Sequence, residues 1–161
     1  MIQSGHLSGL PRKIAGAREG DKMKTAFVFY SYTGKTRALA EERAGKEQAE
    51  LIEIKEKKRR STVAAYVLGS LAARRQKRAE IEPVAADFAD YDKIVVAVPL
   101  WAGFPAPAFN SILELLPRGA KVELIITSGS GNSTGSREKT MALAASKGVQ
   151  IVSYEDVKTA E

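Results

Sequence analysis

Three short stretches hold residue types that can do chemistry together: Ser31-Tyr32-Thr33-Gly34-Lys35-Thr36, Pro99-Leu100-Trp101-Ala102-Gly103-Phe104-Pro105, and Thr127 to Ser136, rich in Gly and Ser. In the first, three hydroxyls (Ser31, Thr33, Thr36) stand between an apolar run, Ala26 to Tyr30, and a helical pattern with Leu39 and Ala40 inward. Strand, polar turn and helix bring free backbone N–H groups and the positive end of a helix dipole to one point. Such a point binds phosphate. One hydroxyl is enough to cap a helix. Three hydroxyls donate without a full charge and suit a buried phosphate monoester. In the second stretch an indole, Trp101, sits on a loop stiffened by Pro99, Pro105 and Pro107, where it can cover a flat ring or pack into the core. Gly103 permits close backbone approach. The third stretch has little side chain; it serves either as a turn or as a backbone wrap around a ring edge.

The elements that must position these loops follow from periodicity. Lys24–Tyr30 reads as a first strand, Thr36 to Gly45 as a helix stopped by glycine, and Glu50–Lys55 as a short second strand. Ser61 caps a helix to about Arg75, with Val63, Tyr66, Val67 and Leu71 as its core face. Residues 76–91 read as surface connection. Lys93–Pro99 is a continuous apolar strand of the kind covered on both faces. A helix over 108–116, a strand over Lys121–Thr127, a helix over Arg137–Lys147 ended by Gly148, and a last strand over Val149–Tyr154 complete the order. Strict β-α alternation predicts a parallel sheet with helices on both faces. All three loops then follow strands and lie at the carboxyl edge, where such sheets bind ligands.

Composition narrows the chemistry. The chain has 161 residues, no cysteine and one histidine, His6. Disulfides, thiolate metal sites and Fe–S clusters are excluded, and a zinc enzyme or a Ser-His-Asp triad is disfavoured. No catalytic residue and no metal ligand is expected. Gly34-Lys35-Thr36 invites a triphosphate loop, but that motif needs glycine where Phe29 stands, inside the strand, and no strand-ending acid is present for Mg²⁺. A dinucleotide fingerprint fails because the turn has one glycine rather than three.

Ser31-Tyr32-Thr33-Gly34-Lys35-Thr36 resembles the phosphate loop of flavodoxins, whose pattern is [ST]-x-T-G-x-T. Pro99 to Gly103 is similar to the family's second flavin loop, and Thr127 to Gly131 to its third. The resemblance spans residues 24–154. It implies an α/β three-layer sandwich with a five-stranded parallel sheet of order 2-1-3-4-5, here without the closing C-terminal helix. It also implies noncovalent FMN. On that resemblance Ser31, Thr33, the Lys35 backbone and Thr36 hold the phosphate. Trp101 lies against or beside the isoalloxazine, Ala102 and Gly103 approach its N5 edge, and Ser128, Gly129 and Gly131 border the pyrimidine side. Tyr32, Gly34, Pro99, Leu100, Phe104 and Ser130 complete the cofactor-binding set. The chain departs from the family in having no acid in the three loops, which in acidic members helps hold the flavin potential low. It also lacks the third-loop tyrosine that often stacks on the outer ring face, leaving that face open.

Two function classes follow: an electron carrier between redox partners, or an NAD(P)H-dependent reductase acting on a quinone or other small acceptor. The net charge of +6 is concentrated. Between Lys55 and Arg78 nine Lys/Arg face one acid, Glu56. In a carrier this stretch would steer an acidic partner; in a reductase it could meet a 2′-phosphate. A third class, a nucleic-acid or anionic-membrane binder, would also use it, but the helix's apolar face reads as core. The expectation is therefore no nucleic-acid partner and no membrane insertion, in a cytoplasmic protein. Residues 1–22 read as an extension without a secretory signal, flexible or folded as a short helix over Leu10–Arg18 that covers a sheet edge or face, and residues 23–161 as the domain.

Overall fold

The computed structural model describes residues 23–58, 61, 63 and 65–159. The expectation for residues 1–22 lies outside the described residues. In chain order the elements are β1 (Thr25–Phe29), α1 (Lys35–Glu47), β2 (Glu50–Glu53), a π-helical turn (Ala65–Gly69) leading into α2 (Ser70–Arg74), a 3₁₀ turn (Phe88–Asp90), β3 (Lys93–Trp101), β4 (Phe104–Pro105), α3 (Pro107–Leu115), β5 (Lys121–Ser128), α4 (Thr134–Ser146) and β6 (Gln150–Lys158).

The sheet runs β2-β1-β3-β5-β6, all parallel, with β4 folding back antiparallel on the end of β3. With the two-residue β4 set aside, this is the expected 2-1-3-4-5 order. Period-two alternation sorts the strand side chains onto two faces. Val28, Ile94, Val96, Val98, Leu124 and Ile126 share one buried cluster with Phe109, Ile112 and Leu113 of α3 and Ala144 of α4. Phe27, Phe29, Val95, Ala97 and Ile125 face the other way and meet Ala40 and Ala44 of α1. Two apolar faces explain why β1 and β3 read as unbroken apolar runs. Each fully buried large side chain, Phe109 or Ile112 for example, contributes about 1.5–3 kcal/mol. Pro107 stands in the first turn of α3, where its missing N–H costs nothing.

Several expected boundaries are corrected. Gly45 lies inside α1, which runs on until Gln48 adopts a left-handed backbone, φ 55°. α4 starts at Thr134 rather than Arg137, so the third loop is shorter than its composition implied. The expected helix from Ser61 to Arg75 is helical at its described residues, at Val63, through the π-turn and along α2 to Arg74, but Val63, Val67 and Leu71, expected on its core face, are exposed. β6 continues past Tyr154 to Lys158. A bulge opposite Val122 and Glu123 shifts its register, so Ile151 pairs with Val122 and Ser153 with Glu123. β6 is the last element among the described residues.

Candidate functional site

The three loops converge at the carboxyl edge of the sheet. A cleft of about 180 Å³ there is lined by Tyr32, Thr33, Lys35 and Thr36, by Pro99, Leu100 and Trp101, by Thr127, Ser128 and Gly129, and by Thr159.

The first loop is a tight turn built around Gly34, whose φ of +102° only glycine adopts without strain. The Gly34 N–H donates to Ser31 Oγ at 3.0 Å. That bond uses the oxygen of Ser31 as acceptor and leaves its proton to donate elsewhere. No side chain caps α1, and the first amides of a helix have no partner within it. The start of α1, walled by Lys35 and Thr36, is thus a donor-rich corner with the positive end of a helix dipole behind it. Thr36 and Thr127, both buried, share a hydrogen bond of 2.8 Å between their hydroxyls. One proton is spent between them. The accepting hydroxyl keeps its own proton, on a residue that lines the cleft.

The second loop is a two-residue hairpin. Leu100 pairs with Pro105 and Trp101 with Phe104, and Ala102 (φ +51°) and Gly103 (φ +87°) form the tip. Positive φ at both central positions matches the turn that joins twisted strands most tightly. Trp101 is half-buried and does both things its position allowed. It packs on the core cluster and it walls the cleft. Its indole is held edge-on between Tyr30 (ring centroids 6.0 Å) and Tyr32 (5.9 Å). The Tyr30 hydroxyl in turn donates to Glu56 Oε1 at 2.8 Å.

The third loop is held from within. The Gly131 N–H donates to Ser128 Oγ at 2.9 Å, and the Asn132 N–H to Ser130 Oγ at 3.2 Å. Asn132 Oδ1 accepts from the Thr134 N–H, the first amide of α4, at 2.8 Å. Ser133 ties the loop to β6: its N–H and Oγ donate to the Asp156 carboxylate at 3.1 and 2.6 Å, and its Oγ also bonds the Tyr154 hydroxyl. Burial pushes the Tyr154 phenol above its ordinary pKa of 10.0, the Ser133 bond opposing it. The end of β6 closes the cleft, with the Thr159 N–H donating to the Ser128 carbonyl at 2.9 Å.

Of the residues expected at the site, Tyr32, Thr33, Lys35, Thr36, Pro99, Leu100, Trp101, Ser128 and Gly129 line the cleft. Ser31 and Gly34 are not on its wall; they are bonded to each other within the first turn. Ala102 and Gly103 are exposed at the hairpin tip, and Phe104 lies beside the Lys139 ammonium, 6.0 Å from the ring centroid. Ser130 and Gly131 are not on the wall; they brace the loop. Thr127, the first residue of the third stretch, was given no role of its own, and its bond to Thr36 marks it only in the structure. Thr159 was not expected at the site and carries no signal in the sequence.

Among the described residues no acid lines the cleft, and Lys35 is its one charged side chain. No group of residues suited to a metal ion occurs among them either.

The backbone agrees with known structures. A flavoprotein in complex with FMN from Lactobacillus acidophilus NCFM superposes with TM-score 0.69 at 23% identity, over 83% of this chain and 92% of the other. The fold is flavodoxin-like. A candidate flavoprotein from Bacteroides eggerthii DSM 20697 gives TM-score 0.69 at 19% identity, over 83% of this chain and 87% of its own. One from Bacteroides uniformis ATCC 8492 gives 0.64 at 20%, over 83% and 90%. No protein-family model matches the chain, and no curated protein is significantly similar to it. In this flavodoxin-like chain the three loops occupy one edge of the sheet, as the resemblance implied.

Proposed function

We propose that the chain is an FMN-binding redox protein that passes electrons between partners. The observation that carries this reading is the convergence of a hydroxyl- and amide-rich turn, an aromatic wall and a backbone-rich loop on one cleft. The neighbour that contains FMN has the same fold.

The donor set fits the cofactor. Ser31, Thr33, Thr36 and the first amides of α1 would hold a phosphate, with the Lys35 charge beside it. Trp101, kept edge-on between Tyr30 and Tyr32, supplies a fixed aromatic wall. Ser128 and Gly129 offer backbone groups to a polar ring edge. When bound, FMN supplies one- and two-electron chemistry. The cleft, at 180 Å³, is smaller than the roughly 300–1,000 Å³ of pockets that enclose a drug-sized ligand. It therefore suits a ligand gripped at its small end, with its larger end left near the surface. That arrangement suits electron exchange with a docked partner.

The lining also supports a carrier. Among the described residues it has no carboxylate and no imidazole to hold or move a proton, and Lys35 sits at the phosphate turn. A wall without acids favours added negative charge and sets the flavin potential above that of an acid-lined site.

The test is anaerobic mixing of the FMN-loaded protein with NADH and with NADPH. A carrier keeps its flavin colour until a separate reductase protein is added. Rapid bleaching by either nicotinamide alone would assign the chain to the reductases and overturn the carrier reading.

A further inference from the structure

Between β2 and the 3₁₀ turn the chain leaves the sheet and returns. The Lys57 N–H donates to the Glu80 carbonyl at 3.0 Å, and the Glu82 N–H to the Lys55 carbonyl at 2.8 Å, so the two ends of the excursion are clipped together. The return is pinned to α3. Ser111 Oγ accepts from the Ala79 N–H at 2.8 Å and donates to the Ala79 carbonyl at 2.5 Å, and Asn110 Nδ2 donates to the Lys77 carbonyl at 2.8 Å. α2 packs against β3 and β4, which places it beside the Trp101–Phe104 hairpin.

The outer side of this anchored excursion is apolar. Val63 (73% exposed), Val67 (55%), Leu68 (58%) and Leu71 (43%) are half of the eight large hydrophobics exposed among the described residues. They recur at i, i+4, i+5 and i+8, which is one side of a helical segment. Lys57, Lys58, Arg74, Arg75 and Lys77 flank them and are also exposed. Glu56, the only acid between Lys55 and Arg78, is occupied with the Tyr30 hydroxyl.

We propose that this face docks on an anionic lipid surface, with the four aliphatic side chains entering the headgroup boundary and the flanking Lys and Arg meeting lipid phosphates. A basic segment with one apolar side and a charged surround lies on membranes rather than crossing them. No described helix is long and apolar enough to cross. The chemistry favours lipid over an acidic protein. Energetic centres of protein interfaces are enriched in Trp, Tyr and Arg and depleted in Leu and Val, whereas the exposed large hydrophobics described at the centre of this face are Leu and Val, with the Arg and Lys at its rim. Branched aliphatics projecting at uneven heights need no shape-matched partner in a fluid boundary, and Lys and Arg stems cover apolar surface while their heads stay wet. The docking stands without the FMN reading; joined to it, docking brings the hairpin side of the cleft to the membrane, within reach of lipid-soluble electron acceptors.

The test is co-sedimentation of the full chain with vesicles of phosphatidylcholine alone and of phosphatidylcholine mixed with phosphatidylglycerol. The expected result is binding to the mixed vesicles only, weakened by salt. Arg74→Gln with Arg75→Gln should lower the partition about 30-fold. Val67→Ser with Leu68→Ser should lower it about tenfold or more at unchanged charge, with the thermal unfolding and FMN titration of that variant showing that the fold is kept. Failure of the full chain to bind mixed vesicles overturns the proposal. Equal binding by the serine variant overturns it too, because bulk charge alone would then be responsible. Capture by an acidic polypeptide without any vesicle binding would assign the face to a protein partner instead.

Discussion

Replacing Thr36 by valine separates the two jobs of the cleft's buried hydroxyl pair. Thr36 and Thr127 are 2% and 3% exposed, and their oxygens are 2.8 Å apart. Valine keeps the volume and removes the hydroxyl, which leaves Thr127 Oγ1 buried without its partner. That costs about 1–3 kcal/mol, and each kcal/mol lowers Tm by about 2–4 °C in a chain of this size. Thr127→Val strands Thr36 Oγ1 and costs the same. The double variant removes both partners and restores an apolar contact of the same shape, so most of the stability returns, giving a coupling close to the sum of the two single losses, about 2–6 kcal/mol. Affinity for FMN should not return with it, because the pair's remaining proton is gone; a lost bond to a charged group weakens binding by about 10- to 150-fold. Urea unfolding of the four proteins gives the cycle, and FMN titration gives the affinities. Strictly additive stability losses would refute the pairing, and full recovery of affinity in the double variant would refute the role of the pair in the phosphate site.

Other perturbations test the frame. Gly131→Ala should destabilise by about 1–3 kcal/mol, since its φ is +69° and a Cβ would come 2.9 Å from Lys158 Cβ and 3.3 Å from Lys158 Cα; urea unfolding measures it. Gly34→Ala meets no atom within 4 Å and carries only the backbone cost of φ +102°, about 1 kcal/mol. Arg43 grips both Glu155 oxygens at 2.9 and 2.8 Å, and this bonding holds the Glu155 carboxyl below its ordinary pKa of 4.5. A lowered folded-state pKa adds stability above pH 4.5 that is lost as pH falls through the folded value. Glu155→Gln should therefore be less stable than the parent by up to about 1 kcal/mol at neutral pH, and the two unfolding curves should merge in acid. Trp101→Ala should weaken FMN binding and alter the flavin absorption; an unchanged spectrum and affinity would remove Trp101 from the site.

Much of this architecture was legible in the chain because its signals are local. The apolar runs at Ala26–Tyr30, Ile94–Val98 and Val122–Ile126 mark strands buried on both faces, and Ser31–Thr36 marks the anion turn. What was not legible depends on partners distant in sequence. Glu155, Asp156 and Lys158 lie beyond the expected end of the last strand at Tyr154. They form a strand because β5 offers its edge, Arg43 holds Glu155, and Ser133 holds Asp156. Thr159 reaches the cleft for the same reason: the pairing of β6 with β5 brings it there, and no motif announces it. The excursion after β2 misled in the opposite direction. Val63, Val67 and Leu71 have the period of a core helix, but periodicity shows only that residues share a side, not what that side faces. Their exposure is a property of where the clipped excursion sits.

The central claim is that the Ser31–Thr36 turn, the Trp101 hairpin and the Ser128 loop form one FMN site. Titrating the protein into FMN while following flavin fluorescence tests it most directly. The expected result is saturable one-to-one quenching that inorganic phosphate at high concentration competes away and that Thr36→Val and Trp101→Ala each weaken. Unquenched fluorescence at protein concentrations in large excess over FMN, from a chain whose unfolding is cooperative, would contradict it.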